Sequence, residues 1–262
     1  MLKTSLIVLL LTCSLYALPV GNPAEPVLLG NEKPASMRLG YYNDSVGSTP
    51  LVAGNWTQQA RWMTNSGQVI VNVLGRMDFF AGAGISTFRT SPHELSATLP
   101  QDGNANACLS VRALPSFSYS LGMRGTLLRL LGFSLGAEAE VLRSHPRPFF
   151  TTTRGLDNKK PLETTMTLSQ RQIGIAASYT LPTPILMIPY AGMRWRQVNF
   201  NFDQLVAPAS LGTGAQLRDL QQLTPWGSVL GLSLVAEHRW TVSLEGDIWQ
   251  QPSGSLIAQL RY

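Results

Sequence analysis

The chain has 262 residues, 44% of them hydrophobic and only 13% charged, about half the charge of an ordinary soluble domain. Its 20 Lys and Arg stand against 15 Asp and Glu without a charge run, which excludes a coiled coil, a collagen repeat and a highly charged disordered chain. The arginines are scattered singly between Arg38 and Arg261 rather than gathered on one face, so nucleic acid is not an expected partner.

In chain order, Met1 to Ala17 reads as a secretory signal peptide, with Lys3 as the positive start, Leu6 to Leu11 as the apolar stretch and Ala17 as the small residue before cleavage. Removal of the signal takes Cys13 with it and leaves Cys108 alone. No internal disulfide can then form, and Cys108 is either a harmless thiol or the site of an intermolecular disulfide. Residues 18–34 are expected as an N-terminal periplasmic segment ahead of the folded body at 35–262.

From there the recurring signal is period two. Phe117, Tyr119, Leu121, Met123 and Leu127 alternate with Ser116, Ser118, Ser120, Arg124 and Thr126, and Leu135, Ala137, Ala139 and Val141 alternate with Ser134, Gly136, Glu138 and Glu140. Ile173, Ile175 and Ala177, then Ala191, Met193 and Trp195, then Val242, Leu244 and Ile248, then Leu256, Ala258 and Leu260 repeat the pattern. Such strands have one apolar and one wet face. The wet face carries charges of both signs and the aromatic residues gather near strand ends, as in a transmembrane antiparallel β-barrel with an aqueous interior.

Ten strands are expected, at 36–44, 67–76, 78–88, 116–128, 132–143, 170–180, 186–198, 226–237, 239–249 and 254–262; a further pair near Thr57–Met63 or in the long loops would make twelve. Tight turns at Arg76-Met77, Leu130-Leu131, Leu181–Pro184 and His238 alternate with long loops at 45–66, 89–115, 144–169 and 199–225, with one short exception at 250–253. That is the asymmetry of short periplasmic turns and long external loops, and it places the barrel in the bacterial outer membrane. Lipid offers no hydrogen-bond partners, so the first strand is expected to pair with the last.

The words Leu18-Pro19-Val20-Gly21-Asn22-Pro23-Ala24-Glu25-Pro26 and Ala35-Ser36-Met37-Arg38-Leu39-Gly40-Tyr41-Tyr42-Asn43-Asp44 resemble the mature start of chlamydial major outer membrane proteins. Ile188-Pro189-Tyr190-Ala191-Gly192-Met193-Arg194-Trp195-Arg196 is similar to a late block of that family, with a weaker echo at Ser120–Gly125. The resemblance implies an abundant surface porin, often oligomeric, that passes small hydrophilic solutes or ions. Members of the family are longer and rich in cysteine, whereas this chain keeps only Cys108 after its signal.

Parity places Arg124, Glu138, Glu140, Arg194, Arg196, Glu245, Asp247 and Arg261 on the inward face. There they either line a constriction and set ion preference or pair with one another in a plugged lumen. Arg194 and Arg196 tilt that preference toward anions, and the four carboxylates oppose the tilt. The competing classes are a surface-exposed structural or adhesion barrel, whose loops include Asn104, Asn106, Thr151–Arg154 and Gln216–Gln222, and a barrel hydrolase using His93 and His145 with Asp102 and Asp157. No spaced catalytic or metal motif supports an enzyme, and no cofactor is expected. The expected partners are outer-membrane lipid, small solutes or ions, a second copy of the chain in a homo-oligomer, and host or envelope components met by the loops.

Overall fold

Alternating apolar residues produce strands that must hide every backbone N–H and C=O from lipid, and the only sheet that does so is a closed one. A computed structural model shows such a closure, and it describes residues 21–29, 35–53, 56–90, 93–95, 107–152, 165–202, 219–223, 225–247 and 253–261. The elements are a one-turn helix α1 (Glu25–Leu28) and strands β1 (Ala35–Ala53), β2 (Trp56–Val73), β3 (Met77–Thr90), β4 (His93–Leu95), β5 (Ala107–Leu130), β6 (Phe133–Ser144), β7 (Pro148–Thr152), β8 (Met166–Tyr179), β9 (Leu186–Phe202), β10 (Leu220–Gln222), β11 (Trp226–Ala236), β12 (Trp240–Asp247) and β13 (Ser253–Arg261).

Ten long strands follow one another antiparallel around the wall, β1-β2-β3-β5-β6-β8-β9-β11-β12-β13, and β13 returns to β1 with Arg38 opposite Arg261 and Asp44 opposite Ser255. The barrel is therefore closed, with the first and last strands paired as expected. Short β4 and β7 add to the outer part of β5, and β10 bridges β1 and β9. Thr57–Met63 lies within β2 and makes no eleventh and twelfth wall strand.

Two of the turns show why they can be so short. Leu131 and Gly132, the two residues between β5 and β6, both have positive φ (49° and 84°), the backbone twist that lets a two-residue hairpin match the twist of its strands, and Glu237 and His238 (52° each) have it in the three-residue turn between β11 and β12. On β3 the outward positions Met77, Phe79, Ala81, Ala83 and Ile85 stay apolar. The eight steps from Met77 to Ile85, at about 3.4 Å each and tilted by about 40°, climb about 21 Å, close to the height of an apolar membrane band.

The expected loops differ from the structure. Residues 45–53 and 56–66 continue the β1–β2 ladder, with Ser45 opposite Met63 and Thr49 opposite Ala60. The other three expected loops contain the ends of β3, β6 and β9, the outer part of β5, the start of β8 and all of β4, β7 and β10. Beyond the lipid the outward face turns polar, as at Arg61 and Arg89, while the inward face carries apolar residues such as Ala60, Trp62 and Phe88, so the ladder persists where the hydropathy alternation reverses. Residues 1–17, including the expected signal and Cys13, lie outside the described residues, as do Asp102, Asn104, Asn106, Arg154, Asp157 and Tyr262.

Candidate functional site

The inward residues of the wall fill the lumen in three layers. At the end carrying the short turns, residues 21–29 of the N-terminal segment run inside the barrel. Asn22 to Pro26 are buried, and Ala24, Leu28 and Leu29 pack against Ile188, Val235 and Leu186 of the wall. Gly21 N donates to Glu245 Oε2 (3.0 Å), Thr126 Oγ1 to the Pro23 carbonyl (2.5 Å), Asn72 Nδ2 to the Pro26 carbonyl (2.9 Å) and Arg261 Nη1 to the Leu29 carbonyl (3.3 Å). His238 Nδ1 lies 3.2 Å from the Leu28 carbonyl, so the turn histidine also holds this segment. Gly21 has φ +71°, and a Cβ there would fall 1.9 Å from Arg124 Nη1, so only glycine fits at that point.

The middle layer is charged. Glu25 Oε2 lies 2.9 Å from Arg124 Nη1, while its carboxylate also accepts from Ser243 Oγ (2.9 Å) and Gln259 Nε2 (3.2 Å). Arg124 further faces Asp78 (3.8 Å) and Glu138 (3.9 Å), and Arg38 pairs with Asp78. Across the lumen Arg194 pairs with Asp247 and with Glu245 (3.9 Å) and donates to Ser253 Oγ (2.9 Å), while Tyr190 Oη donates to Glu245 Oε2 (3.1 Å). The two clusters are joined by the buried segment, which offers Glu25 to one and the Gly21 amide to the other.

The outer layer is apolar. Tyr42, Val46, Leu51, Ala60, Trp62, Phe88, Leu142, Met166, Leu168, Val198, Phe200 and Leu220 form one inward cluster, each at most 3% exposed. Phe88 and Phe200 ring centres stand 4.3 Å apart, Trp62 meets Phe200 edge-on at 5.8 Å, and the Arg196 guanidinium lies 5.6 Å from the Trp62 ring centre. Arg196 thus marks the junction of the charged and apolar layers.

All eight residues singled out by parity occupy the lumen side: Arg124, Glu138, Glu140, Arg194, Arg196, Glu245 and Asp247 in the middle layer and Arg261 at the short-turn end. Parity would equally have found Arg38, Asp44 and Asp78, which alternate with Met37, Leu39, Asn43, Met77 and Phe79 and are fully buried. Glu25 has no such signal, because its segment carries no strand periodicity. Cys108 lies on β5 opposite Glu94, while His145 Nδ1 lies 3.3 Å from Thr167 Oγ1. Among the described residues no group of three or more His, Cys, Asp or Glu could hold a metal ion.

Arg124 is the hub of this arrangement, and Arg124→Met would leave Glu25, Glu138 and Asp78 without their shared partner. Removing one member of a buried ion pair costs about 3–5 kcal/mol. Urea titration of the refolded barrel should show a loss of that order, and an unchanged midpoint would mean that water screens the cluster.

No family model matches the chain. In solved structures it is similar to the translocator domain of the autotransporter NalP from Neisseria meningitidis (12% identity, 87% of this chain and 88% of that one, TM-score 0.46) and to the outer membrane protease OmpT from Escherichia coli (12% identity, 87% and 96%, TM-score 0.42). In sequence it is similar to a major outer membrane porin of Chlamydia psittaci, 25% identical over 387 alignment positions covering 95% of this chain and 96% of the relative. It is likewise similar to one of Chlamydia pneumoniae (26% over 311 positions, 83% and 78%) and to the serovar C porin of Chlamydia trachomatis (21% over 382 positions, 95% and 96%). An alignment of 387 positions against 262 residues means that the relatives carry long insertions. The short resemblances at the start of the barrel and at Ile188–Arg196 thus extend over nearly the whole chain, and its curated relatives are chlamydial major outer membrane porins at 21–26% identity.

Proposed function

We propose that the chain is an outer-membrane porin that passes small hydrophilic solutes or ions by diffusion, and that the conformation of the structure is its closed one. The supporting observation is the contrast between the two faces of one wall: an apolar exterior band around an interior of paired charges. The relatives named as porins support the same reading. It makes the barrel a conduit rather than an enzyme.

Closure follows from burial. Arg38, Arg194 and Arg196 are each 1% exposed and Glu25 is fully buried, so no water-wide path reaches them. Conduction therefore requires movement of the segment at 21–29 and wetting of the apolar layer, a recognised way for narrow pores to gate.

Selectivity would rest on the middle layer. There Arg38, Arg124, Arg194 and Arg196 face Glu25, Asp44, Asp78, Glu138, Glu140, Glu245 and Asp247, so carboxylates outnumber guanidiniums. This favours cations, against the anion preference suggested by Arg194 and Arg196 alone. Glu138→Gln combined with Glu140→Gln should shift the reversal potential in a salt gradient toward anions; an unmoved potential would take these carboxylates out of the conduction path.

The experiment that tests the function is planar-bilayer recording of the refolded mature chain. Discrete steps absent from an unfolded control support the porin. The filled lumen also favours a second reading, a plugged barrel serving as a surface-exposed structural or adhesion protein. Folded, inserted and persistently silent protein would establish that reading.

A further inference from the structure

The outward face of the barrel wall carries a ladder of arginines at the end away from the short turns. Arg61 on β2 stands directly opposite Arg89 on β3, and Arg89 directly opposite Arg112 on β5. All three are exposed, and Arg143 and Arg171 extend the basic face on β6 and β8. Directly opposed residues have Cβ atoms only about 4.5–5.5 Å apart, and like charges so placed repel. Among the described residues no carboxylate forms an ion pair with any of the five. The nearest acidic position in register, Glu94 of β4, opposes Cys108, further out along β5.

The position of the ladder points to a counter-charge outside the described residues. Arg89 follows Thr87 and Ile85 on the outward row of β3, and Arg112 lies beyond Leu114 and Phe117 on β5, so the ladder begins where the lipid-facing apolar surface ends. The three arginines, with Met63, Thr87, the stretch Ser45–Ser48 and the intervening wall residues Trp62, Phe88 and Ala113, border a cavity of about 660 Å³. A ligand fitted to this place has a phosphorylated head for the guanidiniums and acyl chains for the apolar band beneath. Guanidinium pairs with phosphate through parallel hydrogen bonds that a point charge cannot match.

We infer that Arg61, Arg89 and Arg112 form a binding site for the phosphorylated head group of an anionic glycolipid in the outer leaflet, which the outward arginines on β6 and β8 help to hold. The site lies outside the lumen and does not depend on whether the barrel conducts.

The test is native mass spectrometry of the refolded full chain after incubation with lipid A, with lipid A stripped of its phosphates, and with phosphatidylcholine. Lipid A should remain bound through detergent washes while the other two are lost, and inorganic phosphate at millimolar concentration should not displace it. Arg61→Gln, Arg89→Gln and Arg112→Gln together should weaken retention about a hundredfold, on the order of fivefold for each arginine near a charged membrane surface. The corresponding lysine triple variant should keep part of the affinity. Folding of each variant is read from its heat-modifiable migration; if the glutamine triple variant does not fold, the central Arg89→Gln alone should lower retention about fivefold on the same basis. Equal retention by folded glutamine variants, or equal retention of phosphate-free lipid A, overturns the proposal. Displacement by inorganic phosphate also overturns it, because the site would then hold a small anion rather than a lipid.

Discussion

Deleting residues 18–29 from the mature chain should convert a closed or rarely open barrel into one with frequent, larger conductance steps. The deletion withdraws Leu28 and Leu29 from their contacts with Ile188 and Val235, Glu25 from Arg124, and the Gly21 amide from Glu245. Two leucines returned to water cost about 3–6 kcal/mol, so the deleted barrel should also refold with a lower urea midpoint. Gly21→Val is the milder version: its Cβ cannot share space with Arg124 Nη1, and its φ of +71° is strained for a β-branched residue. It should dislodge the segment while leaving its length intact and give intermediate open times.

The apolar layer at the other end provides the second half of this test. Phe200 touches both Phe88 and Trp62, and Phe200→Ala in the deletion background should raise the conductance again by opening a wettable gap. If the deletion and the combined variant both insert, migrate as folded barrels and remain silent, the lumen is a permanent core and the anchoring reading holds. A gain with the deletion alone would make the segment the principal closure. A gain only in the combined variant would assign that role to the aromatic layer.

The strands were legible because lipid imposes a rule on one face of each of them. Met77, Phe79, Ala81, Ala83 and Ile85 must be apolar for the barrel to enter a membrane, and that constraint is written into the sequence at period two. Closure was legible for a related reason, since strand edges in lipid must be paired. The outer extensions were hidden because the alternation reverses within Asn43 to Ser66: Val46, Leu51, Ala60 and Trp62 turn apolar residues inward while Gln59 and Arg61 face outward, and a register shift between Val46 and Thr49 breaks the period.

The lumen was half legible. Parity separated inward from outward residues, and the same logic extends to Arg38 and Asp78. It could not show that Gly21–Leu29 enters the barrel, because the partners of this segment lie far away in sequence: Gly21 meets Glu245 224 positions later and Glu25 meets Ser243 218 positions later. Pairs of that separation leave no local pattern. The segment is placed by what the interior offers, the Arg124 guanidinium to Glu25 and the apolar surface of Ile188 and Val235 to Leu28 and Leu29, and those partners become visible only after the wall is built.

The depth rule behind the wall has its own sharp consequence. Leu121 on β5 is 58% exposed and stands opposite Ala81, the middle of the apolar row on β3, and opposite Val141 on β6. Leu114 points outward on the same strand but lies beyond Phe117, toward the arginine ladder. Arginine on the lipid face costs about 2–4 kcal/mol at the midplane and about 0–1 near an interface. Leu121→Arg should therefore lower the stability of the refolded barrel in lipid by that larger amount, while Leu114→Arg should be nearly neutral. Reversible unfolding in urea from vesicles reads both. Equal losses would remove the depth gradient and with it the placement of the ladder at the membrane edge. Matched losses in detergent, where no midplane exists, would show instead that Leu121 serves packing rather than lipid contact.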